Sequence, residues 1–333
     1  MQSTTRRSFI AACGAAAGLA LLGGCSSAAQ GSSSGSSQAA GGSGKPSITV
    51  GTLATEDILP LWVAESDGLY AGSGLDVSIV TFQSATELIA GVSSGEVNLA
   101  MTDIMVTASM FAGGTDVQME WVTLGTTPQQ GRFGIMVGPN SSVRSLTELA
   151  GIPIGVGSNT ILEYVMDRLM ESAGVPDDKI LVEELQKLPV RYQAMLEGEV
   201  AAAALPGTLL ALGESSGCHL VADDTTGDNI SQSVMIARGD FTSSDAGRQQ
   251  IERLEDIWDD AAARINANPE AYRGVLVANA NLPEAIAGTY PISEYPLCQL
   301  PTAEMVDPVL DWMKQKGYLT KSLSYNAATG TFS

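Results

Sequence analysis

Between Ile48 and Val106 the spacing of apolar and polar positions switches repeatedly between the period of a strand and that of a helix. Ile48-Thr49-Val50 is a short apolar run ended by Gly51, and the polar turn from Thr52 to Asp57 leads into an apolar helical segment, Ile58 to Ala64. Leu75, Val77 and Ile79 alternate with Asp76 and Ser78, the two-residue period of a strand. Ser84 and Glu87 stand at capping-box spacing ahead of Leu88, Ile89 and Val92, which share one helix face. Val97 to Met101 reads as the third strand. This order predicts a parallel sheet with right-handed crossovers, whose carboxyl edge collects loops and helix N-termini where ligands bind. Thr52 to Asp57, Phe82 to Thr86, and Thr102 with Asp103 fall on that edge. No glycine-rich nucleotide fingerprint accompanies them.

The rest of the chain extends the pattern and then repeats it. Met105 to Phe111 is helical, and Val117 to Leu124 and Arg132 to Val137 are strands, before a break at Pro139-Asn140-Ser141-Ser142. A second round follows, with strands at Ile152 to Val156, Ile180 to Leu185, Glu199 to Leu205 and His219 to Ala222. Its first long helix starts after Ser158-Asn159-Thr160 and carries Ile161, Val165 and Leu169 on one face. Pro189 opens another helix, and Thr208 to Glu214 a third. After Ser231 one strand, Gln232 to Ala237, precedes helices at Asp245 to Ala267, Pro269 to Val277 and Ala303 to Lys316. The expected fold class is therefore α/β, with two open, mostly parallel sheets. Residues 46–140 and 231–333 form lobe one, 141–230 form lobe two, and crossings near Pro139 and Asn229 join them.

The N-terminus has a different grammar. Thr5-Arg6-Arg7-Ser8-Phe9-Ile10 resembles a twin-arginine export signal, and the apolar run Ile10 to Leu22 is too short to span a bilayer. Leu22-Gly23-Gly24-Cys25 reads as a lipobox, in which cleavage before Cys25 leaves that cysteine to carry the lipid. Residues 1–24 are thus expected to be a signal peptide and 25–45 a lipidated, Ser/Gly-rich tether that cannot bury a core. Loss of the first 24 residues removes Arg6 and Arg7 and no acid, taking the formal charge from −20 to −22. So acidic a body disfavours nucleic acid and anionic lipid surfaces as partners. Cys218 and Cys298 are a disulfide or two buried thiols, and a body of this size does not need the staple. His219 is the only histidine, which excludes histidine-cluster metal sites and argues against a Ser-His-Asp triad; no cofactor or metal is expected.

Four stretches carry a resemblance: LPLWVAESDGLYAGSGLDVSIV, GEVNLAMTD, LTELAGIPIGVGS and MLEGEVAAAALP. From about Ile48 to Ala237 the chain resembles the solute-binding proteins of nitrate, sulfonate, taurine and thiamine-precursor importers, the SsuA/THI5-like and NMT1-like group. Members often carry an acidic residue where Ala201 or Ala202 stands. The resemblance implies a two-lobed, type II periplasmic-binding-protein-like fold that closes on a small polar ligand. It further implies delivery of the ligand to an ABC permease and its ATPase; with the lipobox and tether, the expected protein is a monomer anchored by lipid on the outer face of the cell membrane. A sensory receptor subunit would use the same fold. A related branch of cytosolic enzymes makes the thiamine pyrimidine with a histidine, a cysteine-rich motif and pyridoxal phosphate, none of which suits a chain with one histidine and an export signal.

In such a fold the ligand lies between the carboxyl edges of both sheets, so strand ends nominate its contacts. Lobe one contributes Thr55, Glu56, Asp57, Gln83, Ser84, Thr102, Asp103 and Arg132, and lobe two Ser158, Asn159, Thr160, Arg191, Pro206 and Thr208. Ser84, Ser158 and Thr160 stand at helix N-termini, where capping alone accounts for their residue type. Arg191 is expected on a loop, exposed, as a clamp for a carboxylate or phosphate. Trp62 and Tyr164 fall on helical faces and read as core. Acids mixed with one or two arginines favour a zwitterionic or uncharged polar metabolite over a simple oxyanion. Cys25→Ala should abolish lipid labelling and leave the precursor uncleaved; labelling equal to the parent's would remove Cys25 as the anchor.

Overall fold

The computed structural model describes residues 47–280 and 282–333, so the expected signal, lipobox, Cys25 and tether lie outside the described residues. The strands are β1 (Ser47–Leu53), β2 (Asp76–Phe82), β3 (Leu99–Asp103), β4 (Val117–Leu124), β5 (Phe133–Val137), β6 (Pro153–Val156), β7 (Leu181–Glu184), β8 (Ala202–Pro206), β9 (His219–Asp223) and β10 (Ser233–Arg238), with a small C-terminal hairpin of β11 (Tyr325–Asn326) and β12 (Thr331–Phe332). The helices are α1 (Leu59–Ser66), α2 (Leu69–Ser73), α3 (Ala85–Ser94), α4 (Ile104–Ala112), α5 (Ile161–Ser172), α6 (Leu188–Glu197), α7 (Gly207–Ser215), α8 (Gly239–Thr242), α9 (Asp245–Ala267), α10 (Arg273–Asn279), α11 (Glu284–Ala287) and α12 (Ala303–Gln315). None of these is long and apolar enough to cross a membrane.

Two five-stranded sheets result, in the orders β2-β1-β3-β10-β4 and β7-β6-β8-β5-β9. Both sheets are mostly parallel, as expected, with one reversed strand in each. Strands β1, β2 and β3 run parallel, as do β6, β7 and β8, but β10 is antiparallel to β3 and β4, and β5 is antiparallel to β8 and β9. The reversed strands are the two that enter from the other lobe, without a helical crossover to restore their direction. The expected boundary at residue 140 is displaced. Strand β5 belongs to the second sheet, so the first crossing is residues 125–132 and Pro139 lies within lobe two. All five residues of β5 are buried, and such a strand reads as an apolar run that names neither face nor sheet.

The two crossings are held together. The Gly125 carbonyl accepts from Asn229 Nδ2 at 2.7 Å and from Gln232 Nε2 at 3.4 Å. Gly125 adopts φ +95°, and a Cβ there would sit 1.9 Å from the Ser231 carbonyl oxygen, so only glycine fits.

One face of the first sheet is covered by α1, α9 and α10, with Trp121 and Trp258 in contact at 5.6 Å between centroids. Helix α9 presents Ile251, Leu254, Trp258, Ala261 and Ile265 at spacings of three and four, and Ser244 caps it by accepting the Gly247 N–H. The other core runs continuously from α3 and α4 through β5, β6 and β8 to α5 and α12, joining both lobes. Trp62 and Tyr164 are buried, as expected of core residues. Cys218 and Cys298 are free thiols, the first buried and the second half-buried. Gly125→Ala combines a disfavoured φ with a backbone clash and should cost about 3 kcal/mol; an unchanged thermal midpoint would show that the crossings are not tightly packed.

Candidate functional site

The carboxyl ends of both sheets meet around a cavity of about 60 Å³. Eight of the fourteen candidates line it: Thr55, Asp57, Ser84, Thr102 and Asp103 from lobe one, and Thr160, Arg191 and Pro206 from lobe two. Each arrives at the end of a strand or the start of a helix, where the backbone turns away from the sheet. Ser84 does cap α3, accepting the Glu87 N–H at 3.2 Å.

The other six lie elsewhere. Thr208 and Gln83 border a neighbouring groove of about 200 Å³. Glu56 and Arg132 face an open depression of about 460 Å³ that also includes Tyr290. Arg132 pairs with Asp223 at 2.7 Å and Glu214 at 2.9 Å, so its charge is already matched within the protein. Ser158 donates to Glu184. Asn159, the one non-glycine residue with positive φ among those described, donates across the lobes to Ser109 Oγ at 2.6 Å. Asparagine tolerates that conformation because its short side chain can bond locally. Ser158 and Asn159 border none of these cavities.

Three charged residues line the cavity. Asp103 ends β3 and caps α4, its Oδ1 accepting the Val106 N–H at 2.7 Å. Its Oδ2 accepts the Ile161 N–H at 3.0 Å, at the start of α5 in the other lobe. Burial pushes this carboxyl up to about 6, a rise the backbone N–H groups restrain and neighbouring Asp57 augments. Asp57 accepts hydroxyls from Thr55 and Ser233, each at 2.5 Å. Neither aspartate has a basic partner among the described residues.

Arg191 departs from the expected exposed loop position. It lies on α6, 2% exposed, and gives Nε to the Leu185 carbonyl at 2.8 Å, Nη1 to Ala204 at 2.9 Å and Nη2 to Gln186 at 3.3 Å. Burial lowers its pKa to about 10, which leaves it charged at neutral pH. Strand-end spacing named this residue, but its burial depends on β8 folding over it, which no local pattern encodes.

The apolar lining was not anticipated. Leu53, Leu88, Met101, Phe133, Ile161, Leu162 and Leu188 enclose the cavity, together with Ala85, Gln186 and Ser233. Several stand one or two positions from a named candidate, which was the available signal. Ser233 was not legible this way, because it faces Asp103 only through the antiparallel register of β10 on β3.

The lobes are also joined outside the cavity. Lys187 pairs with Glu87 at 2.8 Å, an exposed contact that contributes little. Helix α12, packed on α4, reaches lobe two more firmly. Trp312 Nε1 donates to Asp167 at 2.8 Å, and Lys316, just past the helix, sits 3.0 Å from Asp167 and 3.2 Å from Glu163. Tyr318 donates to the same Glu163 at 2.7 Å.

Glu56 carries the largest carboxyl shift near the cleft. Burial pushes it up to about 8, Asp57 adds to the push, and the Tyr290 hydroxyl at 2.6 Å offsets part of it. Folded Glu56 therefore keeps its proton across a window, from 4.5 to about 8, in which the unfolded chain loses it, so stability falls as pH rises through that window. Glu56→Gln keeps an acceptor for Tyr290 and removes the titration. Its advantage over the parent should be absent near the lower bound and reach about 2 kcal/mol or more near the upper, at up to about 1.4 kcal/mol per pH unit. Parallel midpoints across the whole range would remove Glu56 as a source of pH sensitivity.

Comparison with known proteins places this geometry. No curated protein sequence matches the chain. Among solved structures, the alkanesulfonate-binding protein SsuA of Xanthomonas axonopodis pv. citri, bound to MOPS, superposes with a TM-score of 0.70 at 16% identity, over 83% of this chain and 95% of that one. The periplasmic aliphatic sulphonate binding protein SsuA of Escherichia coli gives 0.67 at 16% identity, over 83% and 89%. The desulfurization enzyme DSZB gives 0.63 at 14% identity, over 83% and 94%. These likenesses establish the two-lobed periplasmic-binding-protein fold, one that also hosts an enzyme. The NMT1/THI5 like family model matches residues 55–271, and the chain belongs to that family.

Proposed function

We propose that this protein captures a small polar metabolite between its lobes and delivers it to an ABC-type importer, from the outer face of the membrane where Cys25 tethers it by lipid. The observation that carries this reading is a cavity built at the facing carboxyl edges of both sheets, with charged and polar groups from each lobe. Family membership and the fold of sulfonate-binding relatives support it. Delivery requires release, so the contacts joining the lobes must yield when the permease engages them.

Thermal-shift screening of the purified protein against a metabolite panel tests the reading. A true ligand at about a hundredfold excess over Kd should raise stability by about 2.7 kcal/mol, reduce the radius of gyration in solution scattering, and be recovered unchanged by mass spectrometry. Ala85→Phe, which adds bulk to the cavity wall, should weaken that ligand at least tenfold, about 1.4 kcal/mol. A product absent from heat-killed controls, or stabilisation that Ala85→Phe leaves intact, would overturn binding in this cleft as the function.

A further inference from the structure

The charges of the cavity point to a ligand class that neither the family nor the sulfonate-binding relatives imply. Asp57 and Asp103, 5% and 6% exposed, line it from lobe one without a basic partner among the described residues. Their carboxylates accept only hydroxyls and backbone N–H groups, which satisfy hydrogen-bonding capacity without neutralising charge. Buried carboxylates without a counter-charge are strongly disfavoured, so such groups are normally paired.

Arg191 is the third charged residue of the lining. Its guanidinium gives three N–H bonds to carbonyls of lobe two, and it forms no ion pair with either aspartate. Two aspartates against one arginine leave one formal negative charge unbalanced around the cavity. An anion placed there would add to the excess and a zwitterion would leave it unchanged, whereas a monocation would cancel it. The remaining wall is largely apolar, from Leu53, Leu88, Met101, Phe133, Ile161 and Leu162, and suits a short hydrocarbon body.

Resting on the solute-binding reading, we infer that the ligand is a small organic monocation, an amine with a short apolar body, whose ammonium docks between Asp57 and Asp103. These two aspartates set the specificity, and the ammonium supplies the counter-charge that the protein withholds. Because Asp103 also accepts the Ile161 N–H of lobe two, a cation bound beside it acts at the junction of the lobes.

Calorimetric titration at neutral pH and fixed ionic strength, with four probes of matched body, tests the inference: butylammonium, γ-aminobutyrate, butyrate and butanesulfonate. Butylammonium should bind, γ-aminobutyrate about tenfold more weakly, and the two anions about a hundredfold more weakly or without heat. Asp57→Asn and Asp103→Asn should each weaken butylammonium about tenfold; Asp57→Asn should hold or raise the thermal midpoint, whereas Asp103→Asn, whose one amide oxygen can accept only one of the two N–H groups, should lower it. The charge series on the parent protein stands even if a variant fails to fold. An anion that matches or exceeds butylammonium overturns the cation inference, and so does the absence of heat with butylammonium. If butanesulfonate binds and compacts the protein, solute capture survives and only the ligand class fails.

Discussion

Asp103 performs two tasks that a neutral side chain could not combine as well. One oxygen caps α4 in its own lobe, and the other receives the first N–H of α5 across the cleft. Helix N-termini present unsatisfied donors and a partial positive charge, so a carboxylate between two of them is favoured by both ends. That arrangement also strips the carboxylate of water. The upward shift of Asp103 records the residue of that conflict: two N–H bonds do not fully offset burial.

The same carboxylate lines the cavity, so lobe contact and ligand charge are linked at one atom group. Sulfonate-binding relatives that share the fold need not share the ligand.

Motion between the lobes is constrained at the crossings, residues 125–132 and 224–232, and at α12, besides the bonds of Asp103 to Ile161 and of Asn159 to Ser109. The crossings are bonded to each other at the Gly125 carbonyl and so behave as one joint. The contacts of Trp312, Lys316 and Tyr318 with α5 lie elsewhere and must slide or break for the cleft to open. Glu163 and Asp167 are almost fully buried beneath them, so opening there would hydrate two carboxylates that share one lysine.

Much of this architecture was legible along the chain. The period of β2, the cap at Ser84 and the restart of the pattern in lobe two follow from local spacing, because a half-buried strand or helix must alternate at its own period. Strand ends also named most of the polar lining, since ligands of such sheets gather at one edge. What spacing could not determine was the partner of a fully buried strand. Residues 133–137 are apolar throughout, and only the packed tertiary structure assigned them to the second sheet, reversed β5 and β10, and set Ser233 opposite Asp103. Nor could it distinguish Arg191, enclosed by carbonyls, from Arg132, spent on two acids near the surface. Burial and charge pairing depend on residues brought together from distant parts of the chain, and those contacts exist only once both lobes have folded against each other.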